Sequence, residues 1–352
     1  MMFMKNHRVW GLLCPALLGF VLACRAADLP FATNDRDKRP RSRVIVVEDG
    51  QATDKFEPRP ERVEAMVQRA ITNLTGKATA REAWLSFVTT QDVVGIKVYS
   101  EVGPNSGTRP AVAAAVARGL IDAGLPATNI VIWDKSATDL RLAGYFNLTQ
   151  QLGVRVASSS RAGYDLTNFY DTPLLGNLIW GDVEFGEKGP GIGRRSYVSK
   201  LVSRDLTKII NLSPLLNHNQ AGVAGNLYSL AMGSVDNTMR FVNDADRLAK
   251  AVPEIYAMPS LSDRVVLSIT DALICQYEGD QHSLLHYSTV LNQLRFSRDP
   301  VALDVLSIKE LDRQRRQTDS PEEKPNLQLY ENASLLQLGV SDPARIQVDT
   351  LR

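Results

Sequence analysis

Short apolar runs alternate along the chain with stretches of helical character. Runs of β-branched and aliphatic residues predict buried strands at 44–47, 92–98, 129–134, 153–157, 206–211 and 264–271. Pro60 opens a helix, because apolar side chains then recur on one helical face at Val63, Met66, Val67, Ala70 and Ile71. Further helices are predicted at 80–87, 110–123, 139–151, 245–258 and 300–316, the fourth of them interrupted by Pro253.

The order of these elements predicts the fold class. The strand at 92–98, the helix at 110–123 and the strand at 129–134 form a βαβ unit, which implies a right-handed crossover and parallel strands. We therefore expect an α/β fold, with a mostly parallel sheet and helices on both faces. Residues 159–199, rich in Gly, Tyr, Phe, Asp and Arg, predict an irregular or hairpin insertion. The α/β domain is expected over 44–316, with two lobes at 44–158 and 200–316 as an alternative, and 317–352 as a C-terminal extension.

The helix at 300–316 carries its own start signal. Asp299 is suited to the N-cap position and Pro300 to the first helical position. Arg313, Arg315 and Arg316 complement the negative end of the helix dipole at its C-terminus.

The first 26 residues predict a signal peptide, followed by a linker at 27–43. A basic start is followed by an apolar run at 9–23, which is shorter than the span of about 20 residues that a membrane helix needs. Cleavage after Ala26 would give an exported protein, periplasmic or extracellular, with no transmembrane helix in the mature chain. The alternative is a lipoprotein anchored through Cys24 after cleavage.

Composition excludes several classes of protein. The chain has 352 residues, with 40 basic and 39 acidic side chains, so nucleic acid is not an expected partner. Cys275 is the one cysteine in the body of the domain, so no disulfide and no iron–sulfur cluster is expected. Its apolar neighbours predict a buried thiol rather than a nucleophile. Neither a P-loop nor a Gly-x-Ser-x-Gly nucleophile elbow is present.

Polar residues at strand ends and helix starts give the candidate site. In open parallel sheets, ligands bind beyond the carboxyl ends of the strands and near helix N-termini. This rule selects Lys97, Thr108, Arg109, Asp134, Asp271 and Arg298. Lys97 and Arg109 would hold a small anion, and the aspartates would orient the two cations. Each residue also has a plain structural interpretation, as a cap, a strand terminator or a surface group.

Histidines add one further candidate. His218 lies in the polar segment 214–222, predicted to be a loop, and would act as an acid/base group or as a metal ligand. His282 and His286 lie four residues apart, but their surroundings resemble a loop and no third ligand is evident, so they are interpreted as surface residues. The sequence predicts no particular metal or cofactor.

Several segments, taken in order, resemble the domain-of-unknown-function family 362. Segments 94–98, 106–110 and 130–134 resemble its N-terminal half, and 208–214, the His218 segment, 222–225, 232–237 and 297–304 resemble its C-terminal half. The resemblance implies Rossmann-like α/β layers over about 90–310 and adds Asn237 to the ligand-binding candidates. Some relatives carry a ferredoxin-like module, for which this chain lacks the cysteines.

The chain departs from the family pattern at polar positions. Tyr99 stands where the family usually has Asn, and Asn217 where it has Lys; Tyr228 and Ser229 replace Lys and Asn. Two hypotheses follow. The protein either binds or converts a small anionic molecule or a metal ion, with His218, Lys97 and Asp271 as catalytic groups, or is a non-catalytic scaffold or binding module that has lost ancestral site residues.

Overall fold

A nine-stranded sheet forms the centre of the molecule. The computed structural model describes residues 41–280, 282–318, 320 and 327–352; the predicted signal peptide, the Cys24 anchor and most of the predicted linker lie outside them. The strands are β1 (Ser42–Glu48), β2 (Thr53–Asp54), β3 (Glu57–Pro58), β4 (Val94–Lys97), β5 (Ile130–Asp134), β6 (Arg155–Ser158), β7 (Tyr164–Asp171), β8 (Arg195–Ser199), β9 (Lys208–His218), β10 (Gly222–Val223), β11 (Val265–Gln276), β12 (Ser288–Ser297) and β13 (Ile346–Leu351).

The strand order in this sheet is β13-β1-β12-β11-β9-β4-β5-β6, with β10 paired to β9. Only β12 and β10 run antiparallel to their neighbours. Strands β7 and β8 form a separate antiparallel ribbon within the predicted hairpin insertion. The division of 44–316 into two lobes stays a prediction.

Helices cover both faces of the sheet, as the sequence predicts. They are α1 (Pro60–Thr75), α2 (Ala80–Trp84), α3 (Gly103–Ser106), α4 (Pro110–Asp122), α5 (Ala137–Leu142), α6 (Asn147–Leu152), α7 (Ser159–Ala162), α8 (Asn226–Ser234), α9 (Ala245–Tyr256), α10 (Pro259–Ser262), α11 (Pro300–Gln317) and α12 (Gln328–Leu335). Helices α1, α2 and α4 share one apolar core with the sheet, and α8, α9, α11 and α12 share a second. No helix in the described part of the chain is long and apolar enough to cross a bilayer.

The central strands are longer than their apolar runs suggested. The segment 214–222 was expected to be a loop, but β9 continues through it to His218. Every residue of β9 after Lys208 is buried, since β4 and β11 lie on either side of it. Likewise Asp271, expected at a strand end, lies within β11, which continues to Gln276. Both extensions contain polar residues, so the apolar runs in the sequence do not predict them. A buried strand can contain such residues because their polar groups form hydrogen bonds within the protein.

Other differences have similar local causes. The helix predicted at 139–151 is two helices, α5 and α6, separated by Gly144 in the left-handed region (φ 85°). The helix predicted at 245–258 is α9, which runs to Tyr256 without an interruption at Pro253. Helix α8 was not predicted, because all nine of its residues are buried and it therefore has no polar face to reveal a helical period. Strands β12 and β13 were not predicted either.

The start of α11 matches its sequence signal. Asp299 is the N-cap, accepting a hydrogen bond from the backbone N–H of Ala302 at 2.8 Å, and Pro300 is the first helical residue. One turn later the Asp304 carboxylate accepts the backbone N–H groups of Asn226 (2.7 Å) and Leu227 (2.9 Å) at the start of α8. Burial raises the pKa of Asp304 to about 7. One buried carboxylate thus joins α11 to α8.

The sheet changes winding direction between β4 and β9. Helix α4, in the connection from β4 to β5, packs on one face, whereas α8, in the connection from β9 to β11, packs on the other. Because the connections leave two adjacent parallel strands in opposite directions, a crevice opens beyond their carboxyl ends.

Asp304→Ala should lower the free energy of unfolding by about 3 kcal/mol, because two buried backbone N–H groups lose their acceptor. Asp304→Asn should cost less, since the amide oxygen still accepts. Urea unfolding at pH 8 measures both, with exposed Glu57→Ala as the control. An Asp304→Ala loss no larger than that of Glu57→Ala would contradict this interpretation.

Candidate functional site

A cleft of about 420 Å³ occupies the crevice between β4 and β9. Its walls come from the residues that follow β4 and β5, from the end of β9, from one side of α8 and from the segment after α8. The polar lining residues include Tyr99, Glu101, Asp134, Lys135, Ser136, Asp139, His218, Gln220, Tyr228, Ser229, Thr238, Asn243 and Asp280.

A buried ion pair forms the base of the cleft. Lys97, the last residue of β4, is fully buried, and its Nζ lies 2.8 Å from Oδ1 of Asp134 at the end of β5. The Lys97 Nζ also donates to the Ser229 hydroxyl (3.1 Å) and to the Val98 carbonyl (2.6 Å). Burial lowers the pKa of Lys97, and the neighbouring Asp134 opposes that shift. The structure thus places Lys97 beside Asp134, and its ammonium group is already held by that carboxylate.

Gly233 makes room for this pair. A Cβ atom at this position of α8 would lie 2.3 Å from Cε and 2.9 Å from Nζ of Lys97. Real Cβ atoms do not come this close to other atoms, so α8 contacts the lysine through a residue without a side chain.

Arg109 forms a second buried pair outside the lining of the cleft. Its Nη1 lies 3.1 Å from Oδ1 of Asp271, and its backbone N–H donates to Oδ2 of the same carboxylate at 2.9 Å. The adjacent Thr108 accepts the backbone N–H of Tyr99 (3.0 Å) and donates to the Leu212 carbonyl (2.9 Å). These residues fasten the loop after β4 to β9 and β11.

His218 is the last residue of β9 and lines the cleft. Its Nδ1 accepts the backbone N–H groups of Gln220 and Ala221, both at 3.2 Å. Burial lowers the pKa of His218 to about 4, while Asp280, whose Oδ1 lies 3.9 Å from Nδ1, opposes the shift. The ring is therefore neutral near pH 7, and its proton resides on Nε2, because Nδ1 is an acceptor. The ring also contacts Tyr228 edge to face, with 4.2 Å between centroids.

Asn237 and Arg298 lie away from the cleft lining. The Asn237 amide donates to the carbonyls of Gly193 (3.1 Å) and Arg195 (2.9 Å). These two hydrogen bonds attach Asn237 to the backbone at the start of β8. Arg298 is exposed, and its guanidinium lies over the Phe87 ring at 4.6 Å. Of the eight predicted site residues, the lining thus contains Asp134 and His218, with Lys97 bonded to Asp134.

Several lining residues were not predicted. Lys135 donates from Nζ to the Thr238 hydroxyl at 2.8 Å. Burial lowers the pKa of Lys135, and the negative charges of Asp182 and Asp236 oppose that shift. Burial raises the pKa of Glu101, although a hydrogen bond from the Tyr99 hydroxyl (3.1 Å) opposes this. For Lys135 a signal existed, since it directly follows the strand-ending Asp134. Glu101 lies in the loop after β4, where no recognisable pattern marks it.

Three of the four named departures from the family pattern line the cleft. They are Tyr99, Tyr228 and Ser229. The fourth, Asn217, lies outside the lining and accepts a hydrogen bond from Arg315. Substitutions at these positions therefore change the surface that a ligand would meet.

No three His, Cys, Asp or Glu side chains in the described ranges are grouped so that they could hold a metal ion. His282 and His286 are both exposed. Cys275 is buried in the core, and burial raises the pKa of its thiol to about 12. An unreactive core thiol was expected from the sequence.

Lys97→Met should lower the free energy of unfolding by about 3–5 kcal/mol, because Asp134 would remain as a buried unpaired carboxylate. The double variant Lys97→Met/Asp134→Asn should recover part of that loss. Denaturant unfolding tests this, with Arg59→Met, at an exposed pair with Asp54, as the control. Equal losses in the single and double variants would show that the charge pair is not the cause.

The stability of the protein should fall as the pH is lowered from 6.5 towards 4, because the unfolded chain binds a proton that native His218 excludes. The full difference between the two pKa values corresponds to about 3 kcal/mol. His218→Gln should flatten the dependence of the unfolding free energy on pH in this window, whereas exposed His286→Gln should not. Parallel curves for wild type and His218→Gln would refute the assignment.

Comparison with known proteins identifies a family. Comparison with curated proteins gives no match. Among solved structures, the chain is similar to a structural-genomics crystal structure of a protein from Thermotoga maritima, with 10% sequence identity and a TM-score of 0.41. The match covers 76% of this chain and 61% of that protein. The model of the family described as "Domain of unknown function (DUF362)" matches residues 94–309, which confirms the resemblance seen in the sequence. The chain belongs to the DUF362 family.

Proposed function

We propose that this protein binds a small organic cation in the cleft between β4 and β9. The charge of the lining is the observation that carries the proposal. Four carboxylates line the cleft, Glu101, Asp134, Asp139 and Asp280, and Lys135 is the lysine among its lining residues. Since Lys97 neutralises Asp134 and His218 is neutral near pH 7, the remaining carboxylates leave the cleft acidic.

The repulsion between these carboxylates supports a cationic ligand. The pKa of Glu101 is raised by burial first and then by the charges of Asp134 and Asp139. The pKa of Asp139 is likewise raised by burial and by Asp134. A positive group between them would offset the repulsion and favour the ionised carboxylates. Binding would then release protons where these groups are partly protonated, so affinity should fall as the pH falls.

Aromatic side chains complete the lining. Tyr99 and Tyr228 line the cleft, with the His218 ring packed against Tyr228. Tyrosine rings attract ammonium and guanidinium groups through their negative faces, and their hydroxyls provide hydrogen bonds. Carboxylates and tyrosines together are well suited to an amine-bearing molecule, whereas a bare metal ion prefers converging oxygen ligands.

The small anionic ligand that the sequence predicts fits this cleft less well than a cation does. Lys97 and Arg109 were expected to hold it, but each is paired with a buried carboxylate. An anion would have to displace Asp134 or Asp271, and would leave that carboxylate buried and unpaired. Export through the predicted signal peptide is part of the proposal, so that the ligand is met outside the cytoplasm.

Titration calorimetry at low ionic strength should show binding of at least one of three probes: putrescine, choline or arginine. Glu101→Gln/Asp139→Asn should weaken that binding at least tenfold, about 1.4 kcal/mol, because charge-assisted contacts are lost. Affinity should also be lower at pH 5 than at pH 8. Exposed Glu187→Gln is the matched control and should leave the dissociation constant within twofold.

Each alternative has a distinct outcome in this experiment. Citrate binding that is lost in Lys135→Met would show an anion site in the cleft and overturn the cationic proposal. Absence of binding by all probes would favour the non-catalytic scaffold.

A further inference from the structure

A second cavity, of about 710 Å³, lies at the opposite edge of the sheet. It adjoins the start of β1, the residue before β13 and the end of the antiparallel β12, so it opens at the amino edge of the parallel strands. Four arginines line it: Arg41, Arg43, Arg298 and Arg345. Asp299 is the acidic residue in its lining.

The carboxylate of Asp299 is already used by the backbone. It accepts N–H groups from Ala302 and from Val340, both at 2.8 Å, and so caps α11 and fixes the loop before β13. Gly339 permits this contact, since a Cβ there would lie 1.9 Å from the Asp299 Oδ1. Asp299 therefore has little capacity left to hold a guanidinium group.

The contacts of Arg43 and Arg298 hold both guanidinium groups in place. Arg43 donates from Nε to Asp349 (2.7 Å) and from Nη1 to the Asn73 carbonyl (3.0 Å). Arg298 stacks over Phe87 and, within the described residues, forms no ion pair. Its stacked face is covered, but the N–H groups at the edge of a guanidinium remain able to donate.

We propose that this cavity binds an oxyanion, the phosphate or carboxylate group of a small molecule, with Arg298 as its principal contact. Planar guanidinium groups donate pairs of parallel N–H bonds that match such oxyanions. Stacking on Phe87 holds Arg298 before a ligand arrives, which reduces the entropy lost on binding. The site is separate from the cleft between β4 and β9 and does not depend on the function proposed for it.

Calorimetric titration of the full mature protein with pyrophosphate, at constant ionic strength maintained with chloride, tests the assignment. Arg298→Gln should weaken binding at least fivefold. Arg298→Lys should give an intermediate loss, because it keeps the charge but not the paired N–H geometry. Arg313→Gln, an exposed arginine paired with Glu310, should change the dissociation constant by less than twofold.

Two further experiments test where pyrophosphate binds and which phosphate compounds the site accepts. Lys135→Met should leave pyrophosphate affinity unchanged, because Lys135 lines the other cleft. Flotation with phosphatidylglycerol vesicles, compared with phosphatidylcholine, shows whether the phosphate group can also belong to a lipid. Absence of pyrophosphate binding, or equal losses in Arg298→Gln and Arg313→Gln, would overturn the proposal.

Discussion

The burial of one ammonium group shapes the centre of this protein. Lys97 is shielded from water, and moving an ion out of water costs several kcal/mol unless a partner compensates. Asp134 supplies the compensation from the adjacent strand, and its other oxygen is held by the backbone and the hydroxyl of Ser100, both at 2.7 Å. Ser229 and Gly233 then bring α8 against the lysine. The cleft is the space that this arrangement leaves open above the pair.

The pairing also decides the electrostatic character of the cleft. Once Lys97 and Asp134 neutralise each other, the other lining carboxylates, Glu101, Asp139 and Asp280, outnumber the lining lysine, Lys135. Arg109 contributes nothing to the lining, because its charge is satisfied by Asp271. Two cations that look available in the sequence are thus structural, and the departures at Tyr99, Tyr228 and Ser229 lie where a ligand would touch the protein.

The two edges of the sheet consequently differ in charge. The carboxyl edge of β4 and β9 presents acids and tyrosines, whereas the amino edge of β1 and β13 presents arginines. Arg298 illustrates how this arises. Strand β12 runs antiparallel to its neighbours, so its end lies at the amino edge of the parallel strands and carries Arg298 away from the other strand-end residues. The rule about strand ends grouped Arg298 with the other candidates, because the direction of β12 is not visible in the sequence.

The sequence by itself determined the α/β class, the βαβ unit around β4 and β5, the cap at Asp299 and the family. Each of these depends on residues close together in the chain, through periodicity, capping chemistry or an ordered motif. The tertiary structure decided that His218 ends a long strand, that α8 is a helix, and which carboxylate meets Lys97 and which meets Arg109. These facts depend on strand order and direction, which join residues far apart in the chain. A charged side chain looks the same in the sequence whether its partner is a ligand or a buried carboxylate on another strand.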